Sequence, residues 1–231
     1  MNLFNRLTEL QSKLGVKFKN PNLLLRALTH RSYLNENRHH SVGDNERLEF
    51  MGDAVIELAI TRWLYDTFPN ESEGYLTEAR ATLVQTPMIS AIAKQLGLLA
   101  FVLMSRGESQ SGNKKSQAYL LCCVYEAIVG AIYLDNGYEA SAAFIERTIL
   151  TPSPKAMLSC RPRDPKSELQ DRTQATDGVT PCYKVLSHSG PDHQKIFEVG
   201  VYLGDNLVAR GIGQSKREAE SRAASAALAT V

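Results

Sequence analysis

The chain contains no apolar run approaching the ~20 residues that a membrane span requires, so no membrane partner is expected. Its start, Met1-Asn2-Leu3-Phe4-Asn5-Arg6, opens directly into an amphipathic helix and lacks a secretory pattern. No Cys-x-x-Cys pair occurs among Cys122, Cys123, Cys160 and Cys182, which argues against both a zinc site and a disulfide framework. These absences predict a cytoplasmic protein with reduced thiols. Charge imbalance is also missing: the formal net charge is +1, so binding to a polyanion would have to rest on local clusters of charge.

What is present divides into two parts. Pro152, Pro154, Pro162 and Pro165 crowd together with Ser153, Ser159, Arg161 and Arg163, a composition that resists helix and packs poorly. The expected boundaries are a domain over 1–150, a linker over 151–163 and a second domain over 164–231. Upstream of the linker the signals are helical. Leu3, Leu7, Leu10 and Leu14 form a stripe closed by Gly15, and Asn20-Pro21 is a cap followed by a first-turn proline. Asp44 can cap a helix that runs toward Phe68-Pro69, and Thr86-Pro87 opens a helix that Gly97 closes. Further helices are expected near 117–134 and 139–150, with a polar loop over 107–115.

Downstream the period changes. A short helix over 166–174 precedes strands at Tyr183–Leu186, Ile196–Leu203 and Asn206–Arg210. A last helix begins at Ser215, with Glu218 completing a capping box and Ala219, Ala223, Ala224 and Ala227 forming a small-residue face. The fold class is therefore an all-α N-terminal domain followed by a small α+β unit of order α-β-β-β-α.

One constellation carries chemistry. Glu46, Glu49 and Asp53, spaced by three and four, fall within roughly a 60° arc of one helix. No Lys or Arg stands three or four positions from Glu49 or Asp53, and like charges so spaced repel by a few tenths of a kcal/mol each. A hard cation such as Mg²⁺, which takes oxygen ligands and keeps several waters, would relieve that repulsion. A solvated acidic face is the alternative for three acids alone.

Longer blocks decide between these. Asn45-Glu46-Arg47-Leu48-Glu49-Phe50-Met51-Gly52-Asp53-Ala54-Val55 resembles the signature helix of the bacterial ribonuclease III family, endonucleases that cut double-stranded RNA. Supporting matches are His30-Arg31-Ser32-Tyr33, Glu73-Gly74, Arg80-Ala81-Thr82-Leu83-Val84 and the block from Glu126 to Asp135. Gly211-Ile212-Gly213-Gln214-Ser215-Lys216-Arg217-Glu218-Ala219-Glu220 is similar to the end of a double-stranded-RNA-binding domain. The resemblance spans nearly the whole chain in the family's order.

What the resemblance implies is specific. Asp53 and Glu126 match catalytic carboxylates, Glu49, Asp53 and Glu126 match metal ligands, and Glu46 matches an acidic position beside the scissile strand. The implied cofactor is Mg²⁺, with Mn²⁺ as a substitute, and the implied products carry 5′-phosphate and 3′-hydroxyl ends. Substrates of the family suggest processing of ribosomal-RNA precursors and structured messenger RNAs. Duplex recognition falls to Ser215, Lys216 and Arg217, where a helix N-terminus favours phosphate, and to Gln170 and His193. A homodimer is implied, with Phe50 and Met51 at the interface, while Gly52 allows close approach. One departure stands out. The family usually has Asp three residues before the Glu matched by Glu126, and this chain has Cys123. A soft thiol is a poor ligand for Mg²⁺. The alternative function is therefore a double-stranded-RNA binder with weak or lost cleavage.

Overall fold

The computed structural model describes residues 3–110, 113–151, 165–191 and 195–230. The expected linker, apart from Thr151, lies outside the described residues, as does His193. The chain forms two compact units, one from residues 1–69 and 76–159, the other from 70–75 and 160–231.

The first unit is helical: α1 (Leu3–Leu14), α2 (Pro21–Ala27), α3 (Arg31–Glu36), α4 (Glu46–Thr67), α5 (Glu73–Leu83), α6 (Thr86–Gln95), α7 (Arg106–Gln110), α8 (Lys114–Asn136) and α9 (Tyr138–Ile145). Local chemistry sets many of these limits. Asn20 caps α2 by accepting the Asn22 N–H, with Pro21 in the first turn. Asn113 caps α8 by accepting from Lys115 and Ser116. Gly15 and Gly97 follow α1 and α6 at φ of 61° and 67°, the left-handed region where a Cβ is costly.

Residues 107–110 and 114–115 of the expected 107–115 loop are helical, the former in α7 and the latter in α8. Ser105 Oγ accepts the Glu108 N–H at 3.2 Å and starts α7. Helix α8 is also longer than expected, and is buried around its whole circumference from Leu120 to Tyr125 and from Ala127 to Ile132. By length and composition it could cross a membrane, contrary to the expectation that no apolar stretch approached that length, but 67% of its apolar window is buried inside the unit. It is the central core helix. Between Gln117 and Leu134 its one charged residue is Glu126.

Helix α4 lays Leu48, Gly52, Val55, Ile56, Ala59, Ile60 and Leu64 against this core, a stripe of helical period. The crossing with α8 is unusually intimate. A Cβ built on Gly52 would lie 1.8 Å from the Glu126 carbonyl oxygen, and one on Gly130 would lie 2.2 Å from that of Leu48. The close approach that Gly52 allows is therefore to α8 of the same chain. Two glycines let the backbones touch.

The second unit comprises α10 (Pro165–Asp177), β1 (Cys182–Ser189), β2 (Ile196–Leu203), β3 (Asn206–Gly213) and α11 (Lys216–Leu228). The strands form an antiparallel sheet of order β1-β2-β3. Leu169, Val201, Ala223, Ala224 and Ala227 make its core. Alanines on α11 allow the helix to sit close, and Gly211 meets it: a Cβ there would lie 2.2 Å from the Ala219 carbonyl. Strand β3 runs on past Arg210 because Gly211, Ile212 and Gly213 pair with Val199, Glu198 and Phe197 of β2.

Candidate active site

Helix α4 begins at Glu46, with the Leu48 and Glu49 N–H groups donating to the Asn45 carbonyl. Asp44 is not its cap: the Asp44 carbonyl accepts from Arg26 Nε at 2.9 Å, and no side chain caps the helix start. From the first two turns of α4 and just beyond, Glu46, Glu49 and Asp53 line a cavity of about 550 Å³. Glu126 and Cys123 line it from α8. The touching backbones at Gly52 and Gly130 set this arrangement, because Gly52 lies between Glu49 and Asp53 and packs on the Glu126 carbonyl itself.

The cavity is electrostatically strained. Partial burial pushes the Glu126 carboxyl up to about 7, and the negative charges of Asp53 and Glu49 push the same way. The Cys122 thiol opposes them by donating to Glu126 Oε1 at 3.2 Å. Cys123 is pushed up to about 12, first by burial and then by the negative charge of Glu49. Burial likewise raises Cys122. Both thiols therefore remain protonated at neutral pH. Glu46 is exposed and pairs with Arg31 at 3.5 Å, so it is the one acid of the group with a cation beside it. Phe50 also lines the cavity and is 79% exposed, which removes it from this chain's core; Met51 is half-buried.

The residues suit a divalent cation by donor chemistry, since Glu49, Asp53 and Glu126 offer hard oxygen in a cavity short of positive charge. Among the described residues, no three His, Cys, Asp or Glu side chains are gathered closely enough to hold an ion as they stand. Binding would have to draw the carboxylates together. Cys123 adds no oxygen.

Residues not singled out from the sequence also shape the cavity. Asn45, 2% exposed, lines it and leaves its Nδ2 without a hydrogen-bond partner. His30 lines it too, and its Nδ1 accepts from the Ser32 N–H at 3.3 Å, which places the ring hydrogen on Nε2. Tyr119 stands on its wall, 63% exposed. Each belongs to or adjoins a block named above, yet only folding shows them sharing one cavity.

In the second unit, Ser215 caps α11, its Oγ accepting the Glu218 N–H at 3.2 Å. Glu218 reaches back to the Gln214 N–H at 2.8 Å. Lys216 and Arg217 are exposed in the first turn, and among the described residues neither makes an ion pair that would occupy it. Gln170 is exposed on α10, which packs on α11.

A helical unit that gathers four acids from two crossed helices, coupled to an α-β-β-β-α module with a basic helix start, defines a two-domain nucleic-acid enzyme. Comparison with known proteins makes this particular. The Ribonuclease-III-like family model matches residues 20–153, and the double-stranded RNA binding motif matches residues 165–231. Ribonuclease 3 of Geobacillus kaustophilus is 42% identical over 223 residues, covering 96% of this chain and 90% of that protein. Ribonuclease 3 of Listeria monocytogenes is 38% identical over 224 residues, covering 97% of each. The nuclease domain of ribonuclease III from Campylobacter jejuni is similar in structure, with a TM-score of 0.57 at 39% identity, covering 64% of this chain and 95% of that one. The chain belongs to the ribonuclease III family, and it is a ribonuclease with a double-stranded-RNA-binding domain.

Proposed function

We propose that this protein is a divalent-metal-dependent endoribonuclease that cuts double-stranded RNA, leaving 5′-phosphate and 3′-hydroxyl ends. One observation carries the reading: Glu49 and Asp53 of α4 and Glu126 of α8 line a single cavity because Gly52 and Gly130 let the two helices touch. Those three carboxylates would hold Mg²⁺, or Mn²⁺ in its place. Bound there, the ion would supply a deprotonated water and stabilise charge on the leaving oxygen. Glu46, tied to Arg31, sits at the cavity's edge beside the strand to be cut. Ser215, Lys216, Arg217 and Gln170, with His193, bind the duplex by its phosphates and minor-groove hydroxyls.

The working form in this reading is a homodimer. Phe50, Leu58 and Tyr65, spaced by eight and seven on α4, are 79%, 57% and 72% exposed, an apolar stripe that a second copy would cover. The similar nuclease domain of ribonuclease III from Campylobacter jejuni has structural flexibility in a region involved in dimer formation. Processing of ribosomal-RNA precursors and structured messenger RNAs in the cytoplasm completes the proposal.

A second reading, a duplex binder with weak or lost cleavage, is favoured by Cys123, which places a soft thiol on the cavity wall where an Asp would offer oxygen. The test is a Mg²⁺ and Mn²⁺ titration of duplex cleavage by wild type, Cys123→Asp and Cys123→Ser. The enzyme reading expects wild type to cut, Cys123→Asp to need less Mg²⁺, and Cys123→Ser to change little. A wild type inert at every concentration, beside a Cys123→Asp variant that cuts, establishes the binder.

A further inference from the structure

Two neighbouring cysteines stand among the carboxylates that α4 and α8 bring together. Cys122 Sγ donates to Glu126 Oε1 at 3.2 Å, one helical turn apart on α8. Cys123 lines the cavity that Glu49 and Glu126 share. Both cysteines are buried, at 5% and 7% exposure, and neither is in a disulfide.

A carboxylate in a cavity with its like-charged neighbours has reason to swing outward to water. A neutral donor fixed to one of its oxygens opposes that swing and leaves the other oxygen for a ligand. Sulfur is poorly suited to bind a hard cation itself, so a thiol in this place works through the oxygen it holds. We propose that Cys122 is a positioning residue of the site, holding Glu126 in the orientation that receives the divalent ion. This rests on the proposed role of Glu126 as an ion ligand.

The experiment uses the full chain as wild type, Cys122→Val, which keeps bulk without a donor, and Cys122→Ser, which keeps a donor. Each is titrated with Mn²⁺ in the absence of RNA, with free ion read from its electron paramagnetic resonance signal. Cys122→Val should weaken Mn²⁺ binding by about 10- to 100-fold, the range seen when a ligand loses its orienting partner, and Cys122→Ser should restore it. In cleavage assays Cys122→Val should raise the half-saturating Mg²⁺ concentration more than it lowers the rate at saturating Mg²⁺, and Cys122→Ser should return it toward the wild-type value. Infrared spectroscopy of the metal-free protein reads the contact directly. The S–H stretching band lost in the wild type minus Cys122→Ser difference should lie at low frequency, and Glu126→Gln should move it upward. This reading does not depend on whether Cys122→Val folds.

Mn²⁺ binding by Cys122→Val equal to wild type overturns the positioning role, as does Cys122→Ser being as weak as Cys122→Val, or an S–H band at the frequency of a free thiol. No Mn²⁺ uptake by wild type, with the S–H band at low frequency, would instead overturn the ligand assignment on which the proposal stands. The two failures are thus separable.

Discussion

Replacing Gly52 by Ala tests the claim that contact between helix backbones builds the site. The new Cβ would meet the Glu126 carbonyl oxygen at 1.8 Å, against the 3.4 Å at which ordinary contact begins. Helix propensity alone would make the change stabilising by about 1 kcal/mol. The obstacle, however, is main chain at the centre of a buried crossing and cannot rotate aside. Overpacking of a core costs about 1–3 kcal/mol, and a clash with backbone belongs at or above the top of that range. Overpacking therefore wins, and Gly52→Ala should lose on the order of 2 kcal/mol of stability. The helices must part by more than 1 Å, which moves Glu49 and Asp53 away from Glu126. Misplacement on that scale can cost about 100-fold in rate. The control is Gly107→Ala, where a Cβ meets nothing within 4 Å. Thermal unfolding by circular dichroism and duplex cleavage at saturating Mg²⁺ read both effects. Wild-type stability and cleavage in Gly52→Ala would refute the reasoning.

Asp53→Asn and Glu126→Gln should each abolish cleavage while sparing duplex binding, because size is kept and a charged oxygen lost; cleavage in Mg²⁺ beside gel-shift binding in Ca²⁺ separates the two, and near-wild-type cutting by Asp53→Asn would falsify its assignment. Lys216→Ala with Arg217→Ala should weaken duplex binding and flatten its salt dependence by about two phosphate contacts, read as the slope of log affinity against log salt; an unchanged slope removes these residues from the interface. Because Glu126 sits at about 7, a proton and the ion compete for it near neutral pH: ionisation is favoured above that value and lost below it. The half-saturating Mg²⁺ concentration should rise about tenfold per pH unit on descending below 7, and a flat profile from pH 8 to 6 contradicts this role for Glu126.

How much of this was legible in the sequence varies by element. Glu46, Glu49 and Asp53 could be placed on one helix face from spacing alone, and Ile196–Leu203 is rich enough in β-branched and aromatic residues to mark β2 with its observed limits. Their meeting with Glu126 was not readable from period, since it depends on which faces of α4 and α8 touch. Gly52 and Gly130 were the relevant signal, but a glycine in a helix does not say what it approaches. Strand β1 extends three residues past Leu186 through Ser187, His188 and Ser189, polar residues held by pairing with β2 and by the Ser187 hydroxyl donating to Glu198 at 2.9 Å. Strand propensity misses such a segment because cross-strand partners hold it. Cys122 shows the same limit at the site: as a small buried hydrophobe it draws no attention, and its bond to Glu126 follows only from i, i+4 geometry within a cavity.

The central claim is that carboxylates gathered by the α4–α8 crossing make this protein a metal-dependent cutter of duplex RNA. The direct measurement is incubation of the purified full chain with a perfect RNA duplex in Mg²⁺ and, in parallel, in EDTA, with product ends mapped. The account predicts cutting in Mg²⁺ alone, with 5′-phosphate and 3′-hydroxyl ends. Tight duplex binding without cleavage in either Mg²⁺ or Mn²⁺, or equal cleavage in EDTA, would contradict it.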